Sequence, residues 1–401
     1  MAGDSLATGQ RSPGDPAITY PLWPPLTSGC PRTGTAEIAY PVEVDYAYDE
    51  VPDDLFRRSH GPSAALDRWA PLLPPLDAPT LGEGGTPLIE IGDGVYLKDE
   101  SRNPTWSHKD RLNRCTVSAA VRMDAPGVVV ASSGNHGASA AAFAARAGLR
   151  CTVLTSPDAP PAVRSFVDAY GAVVLPLPQE SRWPLMRLIA DRLGYHPVSN
   201  LTVTHTGHAF GPEGYKTIAY EIFTQIGVPA AVFTPTGYGE LLFGVWKGFA
   251  ELRRLGLAER TPRMYACEPA AGAPLAAALR QGSPAAVVPV GPTSAYGIAC
   301  SVGGYRGLVA IRESGGEALP VSDEEMAAAQ AELARQGVWA ELSAAAGLAG
   351  LRRRGAVDGP VVCVSTSSGF KDLAVGSHRA EPVEPTWEAV SRRLRAARIT
   401  A

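Results

Sequence analysis

Residues 128–155 read VVVASSGNHGASAAAFAARAGLRCTVLT. A β-branched apolar run meets a polar turn holding two glycines. An alanine-rich stretch with apolar residues three and four apart then runs to Gly148, and a second apolar run follows. This predicts a strand over Val128 to Ala131, a helix over His136 to Ala147 and a strand over Thr152 to Thr155, the crossover unit that joins parallel neighbours in a sheet. The same alternation extends outward. Strands are expected at Val95 to Leu97, Val173 to Leu175, Ala231 to Thr234, Met264 to Cys267 and Val361 to Val364. Helices are expected at Ala162 to Tyr170, Tyr215 to Ile226, Glu240 to Leu255, Asp323 to Gln336 and Ser343 to Arg354, with Gly171, Gly227 and Gly337 as further stops. The fold class is α/β with mostly parallel sheets.

The chain has 401 residues, 45% of them hydrophobic and 19% charged, enough for two or three domains with a site between them. Its net charge of −4 argues against nucleic acid as a partner. The six cysteines, Cys30, Cys115, Cys151, Cys267, Cys300 and Cys363, show no CxxC spacing, so neither a metal site nor a secreted disulfide framework is expected. No basic leader precedes an apolar stretch, and no run of about 18 apolar residues is present to cross a membrane. The expected location is cytoplasmic. Residues 1–75, with an extended run over Ala39 to Tyr48, read as an arm or subdomain, and residues 383–401 as a terminal helix or tail.

Chemistry concentrates in three turns that follow strands, and in one lysine. Ser132, Ser133, Gly134, Asn135, His136 and Gly137 sit where amides and hydroxyls can hold a carboxylate, although a helix cap is the plainer reading. In PTGYGELLFG, Thr236, Gly237, Tyr238 and Gly239 run straight into a helix, a shape suited to a phosphate. A packing turn fits equally, and Glu240 is awkward beside an anion unless its carboxylate points outward. VCVSTSSGFKD ends a strand in Ser365, Thr366, Ser367 and Ser368, either a surface loop or a hydroxyl set for a heterocycle nitrogen. In NPTWSHKDR, Lys109 is either solvated or, if desolvated, a nucleophile able to form a Schiff base with an aldehyde cofactor.

Together NPTWSHKDR, SSGNHGAS, PTGYGE and STSSGFKD, led in by GEGGTPL and LKDE, resemble the pyridoxal-phosphate enzymes of fold type II, most closely their threonine synthase-like branch. The resemblance implies the tryptophan synthase beta-like architecture, two parallel-sheet α/β domains with the cofactor cleft between them. The larger would comprise residues 76–118 and 228–382 and the smaller 119–227. It implies pyridoxal 5'-phosphate as cofactor and a homodimer. Lys109 would hold the cofactor and move protons at the substrate's Cα, Asn135 would bond the ring's phenolic oxygen, and Thr366 would face the ring nitrogen. Thr236, Gly237, Tyr238 and Gly239 would take the phosphate, and Ser132, Ser133 and His136 the substrate carboxylate. The implied activity is β- or γ-elimination or replacement on a small activated amino acid.

The chain also departs from the branch. Where threonine synthases read NPFRxEGQKT, residues 208–217 read HAFGPEGYKT, so Gly211 stands at the arginine and His208 at the asparagine, which weakens O-phosphohomoserine as substrate. Lys216 remains as an anion contact. Trp106 and His108 replace a glycine and a phenylalanine beside Lys109, where Trp106 would narrow the pocket and His108 would titrate or pack neutral. Serine/threonine dehydratase and cysteate synthase-like activity on O-phosphoserine are alternatives within the class. A non-catalytic, regulatory relative that binds cofactor or amino acid is the alternative outside it.

Overall fold

The computed structural model describes residues 4–57, 66–372 and 383–398. Near the amino terminus β1 (Ala7–Ser12), β2 (Asp15–Pro21) and β3 (Glu43–Tyr46) form an antiparallel sheet in the order β2-β1-β3. The extended run expected over Ala39 to Tyr48 is strand only across Glu43–Tyr46, because its partner β1 is short and pairs with it only from Ala7 to Arg11. A hairpin of β4 (Leu88–Gly92) and β5 (Val95–Asp99) follows, then α1 (Lys109–Arg122).

The next stretch alternates strictly: β6 (Gly127–Ala131), α2 (Asn135–Arg146), β7 (Arg150–Thr155), α3 (Pro161–Ala169), β8 (Val173–Pro176), α4 (Gln179–Leu193) and β9 (His196–Pro197). Its four strands are all parallel, ordered β8-β7-β6-β9. The chain continues through α5 (Gly211–Ile226), β10 (Ala231–Pro235), α6 (Glu240–Arg254), β11 (Arg263–Pro269), α7 (Pro274–Gln281), α8 (Tyr305–Ser314) and β12 (Glu317–Val321). It ends with α9 (Asp323–Arg335), α10 (Ala346–Arg354), β13 (Val361–Ser365) and α11 (Trp387–Ala396). The larger sheet has the order β12-β11-β10-β13-β5-β4, parallel except at the β4–β5 edge.

The glycine stops read from the sequence all end their helices in the left-handed region, with φ of +71°, +72°, +79° and +82° at Gly148, Gly171, Gly227 and Gly337. The helix expected from Ser343 begins instead as a 3₁₀ turn over Leu342–Ala345 before α10 takes over. Helix α4 was not foreseen, because Pro184 sits inside it and lacks the amide a helix interior needs.

Strands β6, β10 and β13 are buried on both faces, as their unbroken apolar runs require. Helix α1 is buried from Asp110 through Ala120. It is locked by Arg111, whose guanidinium meets Glu100 at 2.7 Å and Glu221 at 2.6 Å, so α1, α5 and the end of β5 share one buried charge cluster. All six cysteines are buried and free. Among the described residues no helix is long and apolar enough to cross a membrane, and no cluster of His, Cys, Asp or Glu is disposed to bind a metal. The turns after β6, β10 and β13 all leave the carboxyl ends of parallel strands, where an open α/β sheet presents its ligand crevice.

Candidate active site

A cavity of about 420 Å³ lies at those three turns. Its wall includes His108, Lys109, Ser132, Ser133, Asn135, His136, Thr236, Gly237, Tyr238, Gly239 and Thr366, eleven of the residues singled out in the sequence.

Lys109 is the first residue of α1, and the loop before it is laced to the end of β13. Ser107 bridges Ser367, the His108 amide donates to the Thr366 carbonyl at 3.0 Å, and the Ser367 hydroxyl donates to the Trp106 carbonyl at 3.1 Å. Asp110 fixes the other side of the loop by accepting from the Thr105 hydroxyl at 2.5 Å and from Ser139 on α2 at 2.6 Å. The lysine is thereby aimed from a rigid base. Its Nζ donates to the Tyr215 hydroxyl at 2.9 Å, and the His108 ring stacks on Tyr215. Burial pushes the Lys109 amine below its ordinary lysine range, against the opposing pull of Glu240 and Cys300. His108 is driven well below the ordinary imidazole range, first by burial and then by Lys109, so it packs neutral and leaves the lysine as the basic group.

The turn after β10 is built as a cradle. Gly239 has φ of +91° and caps α6, and a Cβ there would lie 2.7 Å from the Cα of Gly307, so only glycine fits. The amides of Gly237, Tyr238 and Gly239 have no hydrogen-bond partner among the described residues and stand at the positive end of α6. Glu240 does not point outward. Its carboxylate packs against Gly207 and is answered by Arg306 at 3.2 Å, with burial pushing its affinity for a proton up.

Across the cleft, Asn135 opens α2. Its amide nitrogen donates to Glu341 at 2.9 Å, and its oxygen accepts from Lys371 at 2.9 Å and lies 3.2 Å from the Ser367 hydroxyl oxygen. The other oxygen of Glu341 and the Nε2 of His136 are buried without a partner. Unpaired amides at a helix start, two unanswered buried polar atoms and a lysine held without a carboxylate suit pyridoxal phosphate, which brings a phosphate, a ring carrying polar atoms and an aldehyde. Lys109, Asn135, Thr366 and residues 236–239 are the ones that would hold it.

Three sequence candidates lie outside the cleft. Lys216 is buried between Glu213 at 2.8 Å and Glu251 at 2.9 Å, one residue along α5 from Tyr215 and therefore on another face of the helix. His208 is buried against His196, with Nε2 to Nε2 at 2.8 Å, and its Nδ1 accepts from the Phe210 amide, so both of its nitrogens are committed. Trp106 holds a left-handed φ of +62° and turns outward onto Phe166 and Phe370 rather than narrowing the cavity. These three are not carried into the site as substrate contacts. Conversely, Glu341 and Arg182 belong to its wall and Tyr215 accepts from Lys109, and none of the three was singled out in the sequence: the first two arrive from elements remote from the motifs, and the third stands inside one without being read. The one available signal was the tyrosine immediately before Lys216.

Residues 79–367 match the family described as pyridoxal-phosphate dependent enzyme. Threonine synthase of Methanosarcina acetivorans is 33% identical over 82% of this chain and 86% of its own. Threonine synthase of Mycobacterium tuberculosis is 34% identical over 76% and 85%. The structure of maize serine racemase superposes with a TM-score of 0.62 at 20% identity, covering 78% of this chain and 93% of that one, and supports the fold alone.

Proposed function

We propose that this chain, which belongs to the pyridoxal-phosphate-dependent enzymes and to their threonine synthase-like branch, uses Lys109 as the amine that carries the cofactor and then works as the base at the substrate's Cα. It is a pyridoxal-phosphate-dependent lyase or synthase of the elimination and replacement type. The observation that carries the lysine's role is its position: Nζ stands over the cavity, 2.9 Å from a phenol and with no carboxylate bonded to it.

When bound, pyridoxal phosphate supplies an electron sink for the pair left at Cα. The protein's own part is orientation and proton transfer. Tyr215, whose phenol burial holds far above its ordinary range, stays protonated and fixes the Nζ of Lys109. Thr366 offers the ring nitrogen a hydroxyl rather than a carboxylate, which does not hold a proton there and so favours loss or exchange of a side-chain substituent over transamination. Ser132 and the start of α2 offer the substrate carboxylate neutral donors. The proposal includes a threonine synthase-like reaction on a small activated amino acid, supported by the names of the relatives at 33–34% identity. It also includes a homodimer, a cytoplasmic location, and a domain division at 76–118 with 228–382 against 119–227. The grouping of strands into two parallel sheets supports that division, and residues 373–382 of the larger part lie outside those described.

The purified protein should show a visible band of bound pyridoxal phosphate, and borohydride should fix the cofactor on the peptide containing Lys109. Lys109→Ala should show neither and should lose turnover by about a hundred- to ten-thousandfold. Borohydride labelling on a different lysine would overturn the assignment.

A further inference from the structure

One arginine in the cavity wall forms no ion pair among the described residues. Arg182, on α4, is only 8% exposed and lines the cleft with Ser133, Ser156 and Trp183. Its Nη1 donates to the Ser133 hydroxyl oxygen at 2.8 Å, its Nε is buried without a partner, and no carboxylate forms an ion pair with it among the described residues. The Ser133 oxygen also accepts from the Ser156 amide at 2.8 Å, so its two acceptor positions are filled and its own proton remains free to donate. A guanidinium and a hydroxyl with spare protons, fixed to each other, form a built receptor for an oxyanion. A buried cation left unanswered is costly, which makes a ligand charge the natural complement.

The charges of a simple substrate complex are already accounted for. A cofactor phosphate has the three unpaired amides at the start of α6, and an α-carboxylate has the turn at the start of α2. Arg182 is a third receptor and calls for a third anion. We propose that it reads an oxyanion at the far end of the substrate's side chain, so that the substrate class is an amino acid whose side chain carries a phosphoryl or carboxylate group. Position 211, where threonine synthases carry arginine, cannot do this here. A Cβ on Gly211 would already lie 3.1 Å from Leu112, and the cation comes from α4 instead.

This inference rests on the cofactor reading above, and the experiment separates the two. Visible absorbance of bound pyridoxal phosphate is recorded first for wild type, Arg182→Gln and Arg182→Lys, with thermal unfolding as the check on folding. Each holoenzyme is then titrated, following the absorbance change, with O-phosphoserine, O-phosphohomoserine and glutamate, and with the uncharged O-acetylserine, serine and threonine. Arg182→Gln should weaken at least one anionic ligand about ten- to a hundredfold, leave the uncharged set within about twofold, and leave the cofactor band unchanged. Arg182→Lys should recover part of the loss. The anionic ligand most affected distinguishes phosphoryl from carboxylate.

An equal loss across charged and uncharged ligands would assign Arg182 to the α-carboxylate, and a lost cofactor band in Arg182→Gln alone would assign it to the cofactor phosphate. Either result overturns the proposal. If wild type itself binds no cofactor, the cofactor reading fails. Calorimetry with inorganic phosphate then decides for Arg182: heat of binding in wild type that Arg182→Gln lacks keeps the receptor, and equal heats remove it.

Discussion

Lys109 acts as a base only once its proton has left, so the rate should rise with pH through the titration of its amine. Burial is the larger influence on that amine and moves it below the ordinary value of 10.5, while the negative charge of Glu240 pulls it back up. Removing that charge removes the opposing pull. Glu240→Gln should therefore shift the rising limb of kcat, which reports the amine once substrate has freed it, to lower pH, by about one unit or less for a single charge near a partly hydrated amine. A pH–rate profile of both proteins checks this, and an unmoved limb would show that the carboxyl is already neutral in the working enzyme. The residue scale is also where the sequence was both most and least informative. Lys109, Asn135, Thr366 and the 236–239 turn were readable because each belongs to a contiguous run whose residues share one loop. Arg182 and Glu341 were not, since their neighbours in the cleft lie 49 and 206 positions away in the chain. Lys216 and His208 misled because adjacency to a motif says nothing about which face of a helix or turn a side chain leaves.

At the level of elements, the position of Tyr215 depends on how closely α5 crosses α1. That approach is made by Gly214, where a Cβ would fall 2.0 Å from the carbonyl oxygen of Arg111, a backbone atom with no freedom to withdraw. On its other side α5 meets α6 through Gly244 and Gly248, whose Cβ positions would lie 2.6 Å and 2.4 Å from the carbonyls of Pro212 and Lys216. The helix is thus confined from both directions, and a methyl group at residue 214 must push it away from α1. Gly214→Ala should cost about 1–3 kcal/mol and displace the phenol from Lys109. Urea unfolding reads the first effect and the cofactor's visible band the second. An unchanged midpoint together with an unchanged band would mean that the two helices are not in fixed contact. From sequence alone a glycine inside an apolar pattern only lowers helix propensity. Periodicity identifies a helix and its buried side without telling how near its neighbour's backbone comes.

Buried neutral imidazoles couple the stability of the whole molecule to pH. His196, on the outermost strand of the smaller sheet, accepts the Nε2 proton of His208, which is fixed on that nitrogen because the Nδ1 of His208 accepts from the Phe210 amide at 3.0 Å. The pair joins the smaller sheet to the segment leading into α5. A proton added to the His196 Nε2 would face the proton already there, and burial pushes His196 down to about 4 from an ordinary value of 6.5. His208, His205 and His108 are held well below the ordinary range by the same cause. Above pH 6.5 these groups are neutral whether the chain is folded or not, and they contribute no slope. Below it the unfolded chain takes up protons that the folded chain refuses, so stability falls as pH falls, by up to about 1.4 kcal/mol per pH unit for each histidine. For His196 alone the loss saturates near pH 4, after about 3 kcal/mol. Urea unfolding between pH 7.5 and 5, above the main carboxylate range, should give a free energy that is level to about 6.5 and then declines. Replacing the pair, His196→Gln with His208→Gln, should make that decline shallower, the remainder coming from the other buried histidines. A profile level through pH 5 in the natural protein would mean that the buried histidines accept protons without unfolding, and the smaller sheet would then not be held to the segment leading into α5 by this pair.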